Sequence, residues 1–160
     1  MVKEGYAHGV PMGGTVTGAK SAPVFNVWAS KDIDGANLDR IQIIKGWVDE
    51  NGEQHEKIIN VAWSDNRQKD KHGNLAKVGN TVDLKTAKYS NTIGNTMLIG
   101  SYTDTEYDVG LPTLYYARVI EIPTPRWSTY DAVRNNLPLL EDVQATIQER
   151  AWTSPIWYTP

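Results

Sequence analysis

Apolar and polar positions alternate with a period of two through much of the chain, the pattern of strands with distinct faces. The densest stretch is residues 114–122. Leu114, Tyr116, Ile120 and Ile122 fall on one face, with Arg118 interrupting them; Tyr115, Ala117, Val119 and Glu121 fall on the other. Both faces are largely apolar, which predicts a strand inside a sheet. Pro123 and Pro125 end it, because neither can donate to a ladder. Residues 151–158 are its predicted partner, and Pro155 makes that partner an edge strand or forces a bulge.

Further strands are read at 24–29, 40–48, 56–63, 81–89 and 97–103. Asn51-Gly52 joins 40–48 to 56–63 as a hairpin, with a tight primed turn expected at its centre. Residues 81–89 read as a strand with one wet face. The charged stretch 64–79 reads as a long exposed loop. After Pro125 the period changes. A short helix is expected at 130–134, capped by Ser128 or Thr129 and stopped by Asn135-Asn136 before Pro138. Six or seven strands with one helical insertion predict a mainly all-β fold: an immunoglobulin-like two-sheet β-sandwich with a short helical insertion in the last hairpin. Residues 1–23 read as an irregular Gly-rich lead-in cut from an upstream domain. The sandwich occupies 24–160, with its insertion at 123–150. The position of Tyr115 resembles a tyrosine corner, whose hydroxyl bonds back to the chain.

Composition narrows the chemistry. A chain of 160 residues is one domain by expectation, large enough to build a core without staples. It has no cysteine, which excludes disulfides, thiol catalysis and cysteine-ligated metal. The net charge of −3 has both signs mixed along the chain, so nothing marks a nucleic-acid footprint. Apolar runs are only a few residues long, too short for a membrane-spanning helix. Six Trp and eight Tyr stand against one Phe. Such side chains fill cores, and they are also enriched at interfaces.

The candidate chemistry is sparse. His8, His55 and His72 share no metal-ligand spacing, and no Gly-x-Ser-x-Gly elbow is present. Residues 31–39 carry oxygen ligands at alternate positions, but the Gly and Glu of a calcium-binding loop are misplaced, so a polar turn is the expectation. No catalytic residue, no metal ligand and no cofactor is expected in this chain. The suggestive residues are Arg126, Trp127, Tyr130, Arg150 and Trp152 around the insertion, with His8 and Met12 beside the Gly-rich loop. Arginine suits a forked contact to carboxylate, phosphate or sulfate. The competing reading pairs Arg126 and Arg150 with Asp131 and Glu149, merely pinning the loop.

Several segments carry a family resemblance. They are 5–14, 34–42, 78–83 and, most specifically, Tyr116-Ala117-Arg118-Val119-Ile120-Glu121-Ile122-Pro123-Thr124-Pro125-Arg126-Trp127 and residues 147–158. Together they are similar to the C-terminal third of a large bacterial family of unknown function. That family resembles the PHP (polymerase and histidinol phosphatase) metal-dependent hydrolases. The resemblance implies a parent with an N-terminal metal-binding barrel, whose ligand motifs have no counterpart here. It therefore implies a non-catalytic accessory domain with its own barrel as partner, the Gly-rich loop and the Arg126–Trp127 insertion docking on that barrel or lining its mouth. A different expectation is a free-standing carbohydrate-binding module that stacks sugars on exposed Trp and Tyr.

Overall fold

The computed structural model describes residues 2–19 and 21–160. In chain order the elements are α1 (Val2–His8), β1 (Thr15–Thr17), β2 (Val24–Ser30), β3 (Leu38–Val48), β4 (Gln54–Trp63), β5 (Met97–Thr103), β6 (Thr113–Glu121), β7 (Thr124–Pro125), α2 (Trp127–Arg134), β8 (Thr146–Ile147), β9 (Arg150–Trp152) and β10 (Ile156–Thr159). The main sheet runs β1-β10-β6-β3-β4, with β9 also paired to β6; β2 and β5 form a second sheet. The fold is an all-β sandwich of unequal layers. Among the described residues no helix is long and apolar enough to cross a membrane.

Strand β6 lies in the sheet interior, as its two apolar faces predict. It pairs with β3 on one side and with β9 and β10 on the other. Period-two alternation then sorts the side chains. Ile41 and Ile43 of β3 and Tyr115 and Ala117 of β6 face inward, meeting Phe25, Val27, Leu98 and Tyr102 of the small sheet. A bulge opposite Ile41 and Gln42 sets Val61 and Ala62 both against this core. The small sheet comes in close at Gly100, where an added Cβ would lie 3.0 Å from the Val61 carbonyl oxygen.

Pro155 breaks the partner strand in two, and Thr153 repairs the ladder. Its N–H donates to the Ala117 carbonyl, and its Oγ1 accepts from the Ala117 N–H, both at 3.0 Å. The break thus leaves neither Ala117 group unpaired.

Four expectations need correction. The hairpin from β3 to β4 forms, but not through a two-residue primed turn. Its loop spans 49–53, and only Gly52 has positive φ (+80°), because Asp49 Oδ1 accepts from the Asn51 and Glu53 N–H groups and holds a wider turn. Residues 81–89 do not form a strand. Asp83 accepts from Lys85 N–H and the Thr86 hydroxyl, and Asp83 and Lys88 exchange backbone bonds around a tight loop with Ala87 at φ +50°. A side chain that offers the backbone a local partner has defeated the strand pattern. The helix of the insertion starts three residues early, at Trp127, with Arg126 at its N-cap and no side-chain cap; the Thr129 hydroxyl is drawn instead to the Ala145 carbonyl at 2.7 Å. The lead-in 1–23, expected irregular, holds α1 and β1. Strand β1 extends the main sheet parallel to β10, at the register Thr15 opposite Trp157.

Candidate functional site

The inward face of the main sheet is committed to the core, so function falls to its outer face. There the register aligns Trp157, Leu114 and Gly46 in one row, and Trp152, Arg118 and Gln42 in another. Tyr116, Ile44 and Ile58 form the row between. The two Trp residues sit opposite β6 positions four apart, about 13 Å along the strand. Trp152 is 58% exposed, Trp157 48% and Ile58 49%, while Leu114 and Tyr116 are half-buried. Gly46 lets Leu114 lie across the sheet, since a Cβ there would meet its Cγ at 3.4 Å. The face thus carries exposed Trp152, Trp157 and Ile58 around Leu114 and Tyr116, with Arg118 and Gln42 set among them and Ile44 buried beneath.

Beside Trp152 the sheet gives way to a groove of about 530 Å³. Its walls include Pro123, Arg126, Gln148, Glu149, Arg150 and Trp152. A second depression, about 780 Å³, lies between the 73–80 loop and Gln42, Ile58 and Asn60; it shares Pro123 and Gln148 with the first. Gln148 is held rigid there, donating to Asp39 Oδ2 and to the Glu121 carbonyl, both at 2.8 Å. Asp39 is fully buried and carries two arginines, Arg40 on Oδ2 and Arg67 on Oδ1 at 2.5 Å. Arg118 adds a further cation: its Nε and Nη2 both donate to Gln42 Oε1, and Gln42 passes a bond on to Asn60 Oδ1 at 2.8 Å. Glu121, behind the groove, has its carboxyl raised above the ordinary range, first by burial and then by Glu149.

The ion pairs of the competing reading do not form, although Arg126 does pin the insertion through a backbone carbonyl. Among the described residues neither Arg126 nor Arg150 is ion-paired. Arg126 uses its Nε on the Gln144 carbonyl at 3.0 Å. The Arg150 side chain makes no hydrogen bond among the described residues.

Three of the residues singled out in the sequence therefore converge: Arg126, Arg150 and Trp152 line one groove. The others do not join them. Trp127 is 71% exposed at the start of α2, and Tyr130 lies beneath Arg134, whose guanidinium sits 5.5 Å from its ring centre. His8 is exposed at the end of α1. Met12 is exposed in the loop that reaches the sheet where Gly13 N–H donates to the Pro155 carbonyl. Sequence reasoning missed Trp157, Gln148 and Pro123 as neighbours of the site. The face of Trp157 follows only from its register to Leu114, which the break at Pro155 resets.

Two other polar clusters have structural work. Asp49, Glu53 and His55 bring possible ligand atoms within 4.8 Å of one another at the hairpin turn. The Asp49 carboxylate is already taken by two backbone N–H groups and by His55 Nε2 at 2.8 Å, and these bonds, His55 foremost, lower its pKa. The stretch 31–39, expected as a polar turn, holds its own cation: Lys31 Nζ donates to the carbonyls of Asp32, Ile33 and Gly35 at 2.8, 3.1 and 2.9 Å.

The whole chain, residues 1–160, matches the family described as Protein of unknown function (DUF3604). The chain belongs to this family. No curated protein and no solved structure matches it. For this DUF3604 chain the aromatic face and the arginine groove are thus the surfaces from which a function is argued. The match includes the lead-in, so the 1–23 segment belongs to the same family unit as the sandwich.

Proposed function

We propose that this chain is a non-catalytic accessory domain, and that the outer face of its main sheet packs against the barrel of a PHP-type metal-dependent hydrolase in the same polypeptide. The observation that carries the reading is the face itself: Trp152, Trp157 and Ile58 stand in solvent around Leu114 and Tyr116. Apolar patches of this kind mark a partner. The loop before β1 meets the same edge of the sheet, where the Gly14 carbonyl accepts from the Trp157 N–H at 3.0 Å. The hydrolase nature of that partner rests on the resemblance of 116–127 and 147–158.

A supporting rather than catalytic role accords with the ionisable groups. The most buried cluster, Lys45–Asp104–Tyr115, lies inside the sandwich with its bonds satisfied. The test is hydrogen exchange on the polypeptide with and without its neighbouring domain. The reading predicts that amides of β9 and β10 exchange more slowly when the neighbour is attached. Unchanged exchange there, with protection elsewhere, overturns it.

A further inference from the structure

The groove beside Trp152 has a composition that docking does not explain. It holds two guanidinium groups without a carboxylate partner, an aromatic wall and three neutral hydrogen-bonding side chains, Gln144, Thr146 and Gln148. Glu149 also lines it, yet closes on neither arginine. Arg126 moreover occupies the N-cap of α2, where the helix end is positive and a cation is unfavourable. An arginine held there against the helix is not placed for the helix. Its Nε pins the 144–145 turn, which leaves the two terminal nitrogens to the groove.

From this we infer that the groove binds an acidic saccharide: the sugar ring lies on the indole of Trp152, and Arg126 and Arg150 grip its carboxylate. A guanidinium offers paired N–H donors that match the two oxygens of a carboxylate. An indole face offers the apolar platform that a sugar ring's C–H surface needs. The groove volume, about 530 Å³, is that of a small-molecule site. The inference goes beyond the docking reading and does not rest on it: Trp152 borders both surfaces, but Trp157, Leu114, Tyr116 and Ile58 do not line the groove.

The experiment is NMR titration of the full chain with D-glucuronate, D-glucose and sodium sulfate. Glucuronate is expected to shift the Trp152 indole and the Arg126 and Arg150 side-chain signals, and glucose to leave them in place. Arg150→Gln, which removes no bond of the fold, is expected to weaken glucuronate binding about tenfold. Arg126→Gln/Arg150→Gln is expected to abolish it, and added salt to weaken it. Trp157→Ser, which disables the docking face, is expected to leave glucuronate binding intact. Absence of shifts at millimolar glucuronate, undiminished binding by the double variant, or sulfate binding as tightly as glucuronate each overturns the inference.

Discussion

The Tyr115 hydroxyl donates to Asp104 Oδ2 across 2.7 Å, with both side chains out of solvent. Lys45 Nζ reaches the same oxygen at 2.6 Å and also donates to the Glu106 carbonyl. The bond has the place of a tyrosine corner, but a carboxylate rather than the backbone accepts it. A carboxylate sealed in the sandwich depends on these partners. Lys45→Met is expected to cost about 3–5 kcal/mol, because it strands a buried charge. Tyr115→Phe, which leaves Lys45 in place, is expected to cost about 1–2 kcal/mol. Replacing both Lys45 and Asp104 by apolar residues should recover much of the first loss. Urea unfolding of the four proteins measures this, and a Lys45→Met loss no larger than that of Tyr115→Phe contradicts it.

The same network sets the pH range of stability. Burial pushes the Asp104 carboxyl up, but bonds from Lys45, Tyr115 and the Glu106 N–H outweigh it, and the net pKa is lowered. A depressed carboxyl contributes stability above its unfolded value of about 4, and that contribution is lost as pH falls toward the folded value. Tyr102 is pushed up to about 12, by burial and then by Asp104; Tyr115 and Tyr107 are also raised, burial first. A raised phenol contributes stability below about pH 10, lost as pH climbs through the folded value. The expected Tm profile is flat near neutrality, falling below about pH 4 and above about pH 10. A steep change between pH 6 and 8 would contradict this account.

Arg67 fastens the long loop after β4. Its guanidinium donates to the carbonyls of Ser64, Ala76 and Asp39 and to Asp39 Oδ1, and its own carbonyl accepts from Trp63 Nε1. Arg67→Ala is expected to cost about 3 kcal/mol and to expose Lys69 and Lys71 to trypsin. Arg67→Lys should rescue little, because one ammonium cannot span those acceptors. Cleavage rates identical to the parent's would disprove the clamp.

Two glycines with positive φ separate backbone strain from crowding. At Gly94 (φ +77°) a Cβ would lie 2.7 Å from both Asn37 Cβ and Ile122 Cγ2; at Gly52 (φ +80°) it meets nothing. Gly52→Ala is expected to cost about 1 kcal/mol, from the left-handed backbone alone. Gly94→Ala should cost at least about 2 kcal/mol more. Equal losses in thermal melts would show that the packing around Gly94 yields.

The sandwich was legible where alternation decided the structure. The apolar periodicity of β6 gave strand, faces and interior position together, and that of β3, β4 and β5 gave strands. It failed at 81–89, where Asp83 captures the local backbone, and at β1, whose three residues carry too short a pattern. The groove was partly legible. Arg126, Arg150 and Trp152 stood out by type, but Gln148 and Pro123 join them only through the pairing of β7 with β8, two strands of two residues each. That the arginines lack carboxylate partners is a fact of distance, not of sequence.

The proposed interface on the outer sheet face is tested by the affinity of this chain for the proposed barrel partner, supplied as a separate protein and measured for the parent and for Trp157→Ser. Trp157 is half-exposed on that face, so the variant should keep its Tm within a few degrees. The account predicts saturable binding by the parent and about tenfold or greater weakening in the variant. Equal binding by both proteins, or none by the parent, would contradict it.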